Sequence, residues 1–262
     1  MKGIIKLKEE KIKNAIKAGI AITIIATIII FVITIILQYN EEGEKNMPFE
    51  LSKITIVSTA EGMEANKNQD SEGTEEKTST WQFDVLQNND IYFTISKNDS
   101  YEKEEVIKNV KIDNIQILKK PNVGTIKTYM PNSLEGRRFK YSDEYLVEGE
   151  LNYKGASKSD EKNLEIGNQG GNFSFSFCNT ELGTYESNEE TEIKHDASLI
   201  EKMGKSEEDL KFKVSFDICI ELEKKKYKTT IELDLPCEKL LSQGKSTKVI
   251  EDTSQFIFKR VN

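Results

Sequence analysis

The chain has one histidine, one tryptophan and three cysteines in 262 residues, and of its 37 basic side chains only Arg137, Arg138 and Arg260 are arginine. Each scarcity removes a class of chemistry. With His195 as the sole imidazole, a site that needs two, such as a His-x-x-x-His zinc centre, is excluded. Cys178, Cys219 and Cys237 allow at most one internal disulfide, and free thiols are the expected state. A cysteine–histidine nucleophile would need His195 beside Cys178 or Cys219, and no flanking motif supports that pairing. There is no Gly-x-Ser-x-Gly elbow. Gly244-Lys245-Ser246 has the ending of a phosphate loop, but Lys239 stands where the first glycine belongs. The acidic stretch from Asn68 to Glu76 echoes a calcium loop, yet its first ligand is Asn and its twelfth position is Ser79. The sequence therefore calls for no metal and no cofactor.

Charge is missing altogether from Ala18 to Leu37, where ten of the residues are isoleucine. A helix of that length spans about 30 Å, the thickness of a bilayer's hydrocarbon core. Its Ile, Val, Leu and Phe side chains contribute about −4 to −8 kcal/mol to insertion, with no charged residue to offset them. A cleavable signal peptide has a shorter apolar core and a small-x-small exit. Here the run exits into Gln38-Tyr39-Asn40-Glu41-Glu42, so an uncleaved anchor is expected.

Lys2, Lys6, Lys8, Lys11, Lys13 and Lys17 precede the span, and Glu41, Glu42 and Glu44 follow it. The positive-inside bias then puts residues 1–17 in the cytoplasm, the transmembrane helix at 18–38 in the plasma membrane, a linker at 39–47 and a domain at 48–262 outside the cytoplasm. Within the span, Gly19, Thr23 and Thr27 recur at every fourth position. Such a stripe of small residues lets a second helix approach closely, which makes it a candidate for self-association.

Beyond residue 17 the chain holds 31 basic and 43 acidic side chains, a net of −12. That balance lacks the basic footprint of a nucleic-acid binder. Period-two alternation dominates: Trp81, Phe83 and Val85; Ile91, Phe93 and Ile95; Phe173, Phe175 and Phe177; Phe212 to Leu222; Ile231, Leu233 and Leu235. Further strands are expected near 50–59, 106–118, 123–129, 144–154 and 254–261, with 211–222 and 226–235 forming a hairpin. Asp196 to Met203, closed by Gly204, reads as a short helix, and Ser206 to Asp209 has capping-box spacing. Residues 60–79 read as a surface loop. The expected fold is mainly β: a transmembrane helix, then an antiparallel β-sandwich with one or two short helices. Pro131, Asn132, Ser133 and Gly136 mark an alternative boundary at 130–140 that would split it into two β domains.

One surface feature stands out. Arg137-Arg138 sits among Tyr129, Tyr141, Tyr145 and Tyr153 in a chain that otherwise uses lysine. Adjacent guanidiniums bind carboxylate or phosphate in a planar, bidentate way, and tyrosine supplies rigid contact area. Arg137, Arg138, Tyr129 and Tyr141 are therefore the candidate ligand or partner contacts.

The stretches Met47-Pro48-Phe49-Glu50-Leu51-Ser52-Lys53, Asp90-Ile91-Tyr92-Phe93, Thr128-Tyr129-Met130-Pro131-Asn132-Ser133 and Leu164-Glu165-Ile166-Gly167-Asn168-Gln169-Gly170-Gly171 resemble those of uncharacterised single-pass membrane proteins of low-GC Gram-positive bacteria. The resemblance implies the same anchor-plus-outside-domain plan and carries no activity or cofactor with it. The expected role is a non-enzymatic interaction or structural module of the cell envelope, with an envelope protein as partner. The alternative is an envelope hydrolase whose catalytic carboxylates lie far apart in sequence.

Overall fold

The structure is a computed structural model that describes residues 2–64, 81–132, 139–155, 164–187 and 193–261. Two compact units emerge, Met1–Lys45 and Asn46–Asn262. The first is one helix, α1 (Lys2–Glu42), long and apolar enough to cross a membrane. Isoleucine is a mediocre helix former in water, but in hydrocarbon the backbone can satisfy its hydrogen bonds only within the segment. The helix runs four residues past Gln38 into the expected linker. It closes at Gly43, whose positive φ of 70° lets its N–H reach the Tyr39 carbonyl at 2.8 Å.

The second unit is mainly β. Its elements are β1 (Phe49–Glu64), β2 (Trp81–Lys97), β3 (Asn109–Lys119), β4 (Thr125–Tyr129), β5 (Leu151–Gly155), β6 (Glu165–Ile166), β7 (Gly171–Ser187), α2 (Ser198–Lys202), α3 (Glu207–Leu210), β8 (Phe212–Glu221), β9 (Lys226–Leu235), α4 (Leu240–Gln243), β10 (Lys245–Ile250) and β11 (Lys259–Val261). One sheet has the order β10-β1-β2-β7-β4 and the other β11-β9-β8-β3-β5-β6. Every pairing is antiparallel except β5 with β6. Each sheet combines strands from both sides of residues 130–140, although β3 is the one strand of the six-stranded sheet that precedes them.

The sheets meet through an aromatic centre. Phe216 of β8 packs edge-on against Phe93 and Phe175, with ring centroids 5.8 and 5.0 Å away, and Phe177 lies at 6.2 Å. Tyr153 ties the layers with a polar contact, its hydroxyl donating to the Ser174 carbonyl at 2.6 Å.

The ladders shift register at several points, and at two of them the shift keeps apolar side chains inward. Buried positions in β1 run Phe49, Leu51, then Ile54, Ile56, and the register slips between Leu51 and Lys53 to keep all four inward. In β3 the switch from Ile112 to Ile115 and Ile117 occurs at Asn114, which takes φ 51°, a conformation Asn tolerates. Between β2 and β7 the register shifts after Val85. Phe83 and Val85 then leave the main core for a second one with Leu182, Leu199, Ile200, Leu210 and Leu240, which attaches the three short helices.

The hairpin of β8 and β9 forms, closed by the Leu222 N–H on the Lys225 carbonyl at 2.8 Å. The capping box also forms: Asp209 accepts from the Ser206 N–H and hydroxyl at 3.0 and 2.7 Å. Other expectations shift. Of 144–154 only Leu151–Gly155 is strand, after a 3-10 turn at Asp143–Tyr145, and of 254–261 only Lys259–Val261 is strand. Ala60 to Glu64, expected as loop, extends β1. The acidic stretch at 68–76 lies outside the described residues.

Candidate functional site

Directly opposed residues in an antiparallel pair share a face of the sheet. In the five-stranded sheet Asp90 faces Ser176 and Val57, while Tyr129 faces Ser176 and Cys178 faces Lys127 and Asn88. This face points away from the phenylalanine core. Residues 139–147 cross it as a strap, held by bridges from Tyr129 to Leu146 and Pro131 to Phe139. Main-chain bonds from Met130 to Tyr145 (2.9 Å) and from Val147 to Thr128 (2.9 Å) fix its path.

Beneath the strap the Asp90 carboxylate accepts from the Tyr141 hydroxyl and the Ser176 hydroxyl, each at 2.8 Å. Burial raises the Asp90 pKa above the usual carboxylate range, and these two hydrogen bonds only partly oppose it. Burial and the neighbouring Asp90 charge push the Tyr141 phenol up as well. Tyr129 stands edge-on to Tyr141 at 5.3 Å, its phenol raised to about 12 chiefly by burial. Cys178 is buried against Leu86 and Tyr129, and burial raises its thiol pKa, which disfavours the thiolate.

Of the residues expected to contact a ligand, Tyr129 and Tyr141 do come together, but Tyr129 is only 2% exposed and its ring serves packing. Arg137 and Arg138 lie outside the described residues. On α1, the Thr23 and Thr27 hydroxyls donate to the Gly19 and Thr23 carbonyls, both at 2.9 Å. The stripe of Gly19, Thr23 and Thr27 therefore presents a small, hydrogen-bond-satisfied surface.

Distant carboxylates do meet on the outer face of the six-stranded sheet, where Asp113 faces Asp217. Lysines bind them both. Lys228 reaches Asp217 at 2.9 Å and Asp113 at 3.4 Å, while Lys111 bridges Asp113 and Glu150 at 2.8 and 3.2 Å. Burial works to raise Asp217, but bonds from Lys228, Thr230 and Asn114 outweigh it and hold the carboxyl below the usual range. A general acid needs the reverse shift. His195 is equally occupied: its Nδ1 lies 3.1 Å from the Gly62 carbonyl and its ring packs edge-on to Phe83. Cys178 and Cys219 sit on the outer faces of different sheets and are free, as is Cys237. Among the described residues no group of three or more His, Cys, Asp or Glu side chains is placed to hold a metal ion.

A concavity lies elsewhere in the sandwich. A cleft of about 740 Å³ opens where the ends of β8 and β9 meet α4 and β10. Phe212, Leu235 and Cys237, all buried, form its floor, and Lys119, Lys211, Lys239 and Lys248 stand around it with Asp234 and Glu238. No local pattern announces it, because its lysines come from four separated segments. No family model, curated protein or solved structure matches the chain.

Proposed function

We propose that the protein is a single-pass, membrane-anchored module of the cell envelope that acts by binding or as a structural part rather than by catalysis. On this reading α1 lies in the plasma membrane of a low-GC Gram-positive bacterium with residues 1–17 in the cytoplasm, and the β-sandwich lies outside. The observation that carries it is the helix itself: twenty uncharged residues, fully exposed along their length, between a lysine-rich and a glutamate-rich flank. The hydrolase alternative loses support because Asp113 and Asp217 are neutralised in a lysine lattice and Asp90 is closed under a strap. Helix–helix contact through Gly19, Thr23 and Thr27, and an envelope protein as partner, belong to the same proposal.

The experiment uses the buried native cysteines as a silent background. Ser254, which is exposed, is changed to Cys in the full chain, and intact cells are treated with a membrane-impermeant maleimide. Labelling in intact cells supports an outside sandwich, and labelling only after permeabilisation overturns it. Crosslinking of the anchored protein then looks for one defined envelope partner. Crosslinks that persist unchanged in Gly19→Leu with Thr23→Leu remove the helix stripe from the proposal.

A further inference from the structure

We propose that the cleft between β8, β9, α4 and β10 is a binding site for a small organic anion, a carboxylate or phosphate carried on an apolar body. The site stands on its own lining and does not depend on the membrane reading.

Three of the four lysines have no ion-pair partner among the described residues. Lys211 is taken by Glu208, but Lys119, Lys239 and Lys248 are bound by no carboxylate. On the acidic side, Asp234 lies opposite Lys213 in the β8–β9 ladder, and that lysine's pKa is raised by Glu232 first and by Asp234. Lys213 pairs with Glu232 at 2.7 Å rather than with Asp234, so the lining sets two acids, Asp234 and Glu238, against four lysines, three of them unpaired among the described residues. A positive concavity on a chain segment of net −12 is the reverse of the surrounding charge, and it concentrates anions rather than cations.

The fold holds this arrangement in place. Lys239 takes the left-handed conformation, φ 65°, at the start of α4, and Glu207 anchors that turn by accepting the Leu241 N–H at 3.1 Å. Lys248 stands on β10, fixed by the pairing of β10 with β1. Ser246 donates to the Glu238 carbonyl at 2.6 Å and draws the two sides together. The buried floor of Phe212 and Leu235 gives an apolar body something to rest on, and the volume falls in the range of small-molecule sites. Lysine ammoniums bind phosphate or carboxylate as point charges without demanding one geometry.

The test titrates the full chain in neutral detergent with phenyl phosphate and, separately, with inorganic phosphate at matched ionic strength, read by backbone amide NMR. Phenyl phosphate should shift the amides of Lys239, Gln243, Ser246, Thr247 and Lys248 to saturation and bind at least about fivefold tighter than phosphate. Lys119→Gln with Lys239→Gln and Lys248→Gln should weaken binding at least about tenfold, and the triple Arg variant should restore it. Folding of each variant is read from the same spectra. Non-saturating shifts, shifts spread over lysines throughout the protein, or unchanged binding in a folded Gln variant would overturn the proposal.

Discussion

The Tyr141 hydroxyl donates 2.8 Å to the Asp90 carboxylate, and this bond joins a strap of irregular chain to the middle of a β-sheet. A charge beneath that strap is costly to keep. Burial holds the Asp90 pKa above 3.8, so the folded state binds this proton more tightly than the unfolded chain. Asp90 thus adds stability below pH 3.8 and loses that contribution as pH rises through its folded value. Asp90→Asn keeps an acceptor for Tyr141 and Ser176 and removes the charge. The variant should resist urea better than the parent at pH 7, and the advantage should vanish as the pH falls below 3.8.

Asp217 has the opposite sign. Its pKa is held below 3.8, so its contribution is complete above that value and disappears as pH falls through the folded pKa. Asp217→Ala leaves Lys228, Thr230 and Asn114 without their common acceptor and should cost about 2–4 kcal/mol at neutral pH. Lys228→Met should cost less, because Asp217 still accepts from Asn114 and Thr230 when the lysine is gone. Urea denaturation of both variants at pH 7 and in acid checks the order and its convergence.

In the aromatic centre, Phe216→Ala removes the ring that touches Phe93, Phe175 and Phe177 from the opposing sheet. A cavity that both sheets line closes poorly, so a loss of about 3–5 kcal/mol is expected. A much smaller change in the denaturation midpoint would mean that the two layers collapse to fill it.

The three thiols should be inert in the folded protein, since Cys178, Cys219 and Cys237 are all buried. An exposed-thiol reagent should count none in native protein and three in denaturant. Electrophoretic mobility of the unfolded chain should be the same with and without reductant. A reductant-sensitive band within one chain would contradict the separation of Cys178 and Cys219.

Much of this architecture was readable in the residues, and the exceptions have physical reasons. The uncharged run announced the apolar helix, and the phenylalanine alternation of β7 and the long pattern of β8 marked strands with one face in the core. β10 was missed because an edge strand buries little: only Ser246 of its six residues is buried, so no apolar period develops. Gln87, Asn88 and Asn89 separate the apolar alternations of 81–85 and 91–95, yet they are buried within one continuous β2, where Asn89 accepts from the Ser58 hydroxyl at 2.8 Å and donates to the Phe177 carbonyl at 3.2 Å. The strap over Tyr129 and the lysine cleft depend on contacts between segments far apart in the chain. No local pattern records such contacts.

The edge formed by β10 also sets when the molecule can be finished. Ile54, just past the anchor, pairs with Ile250, far along the chain. While a ribosome is still synthesising residues 245–250, β1 presents a bare row of amides and carbonyls that nothing in the nascent chain covers. A product truncated before residue 245 keeps that edge open, an invitation to aggregation and proteolysis. Only a chain that has reached residue 250 can seal the sheet begun by β1.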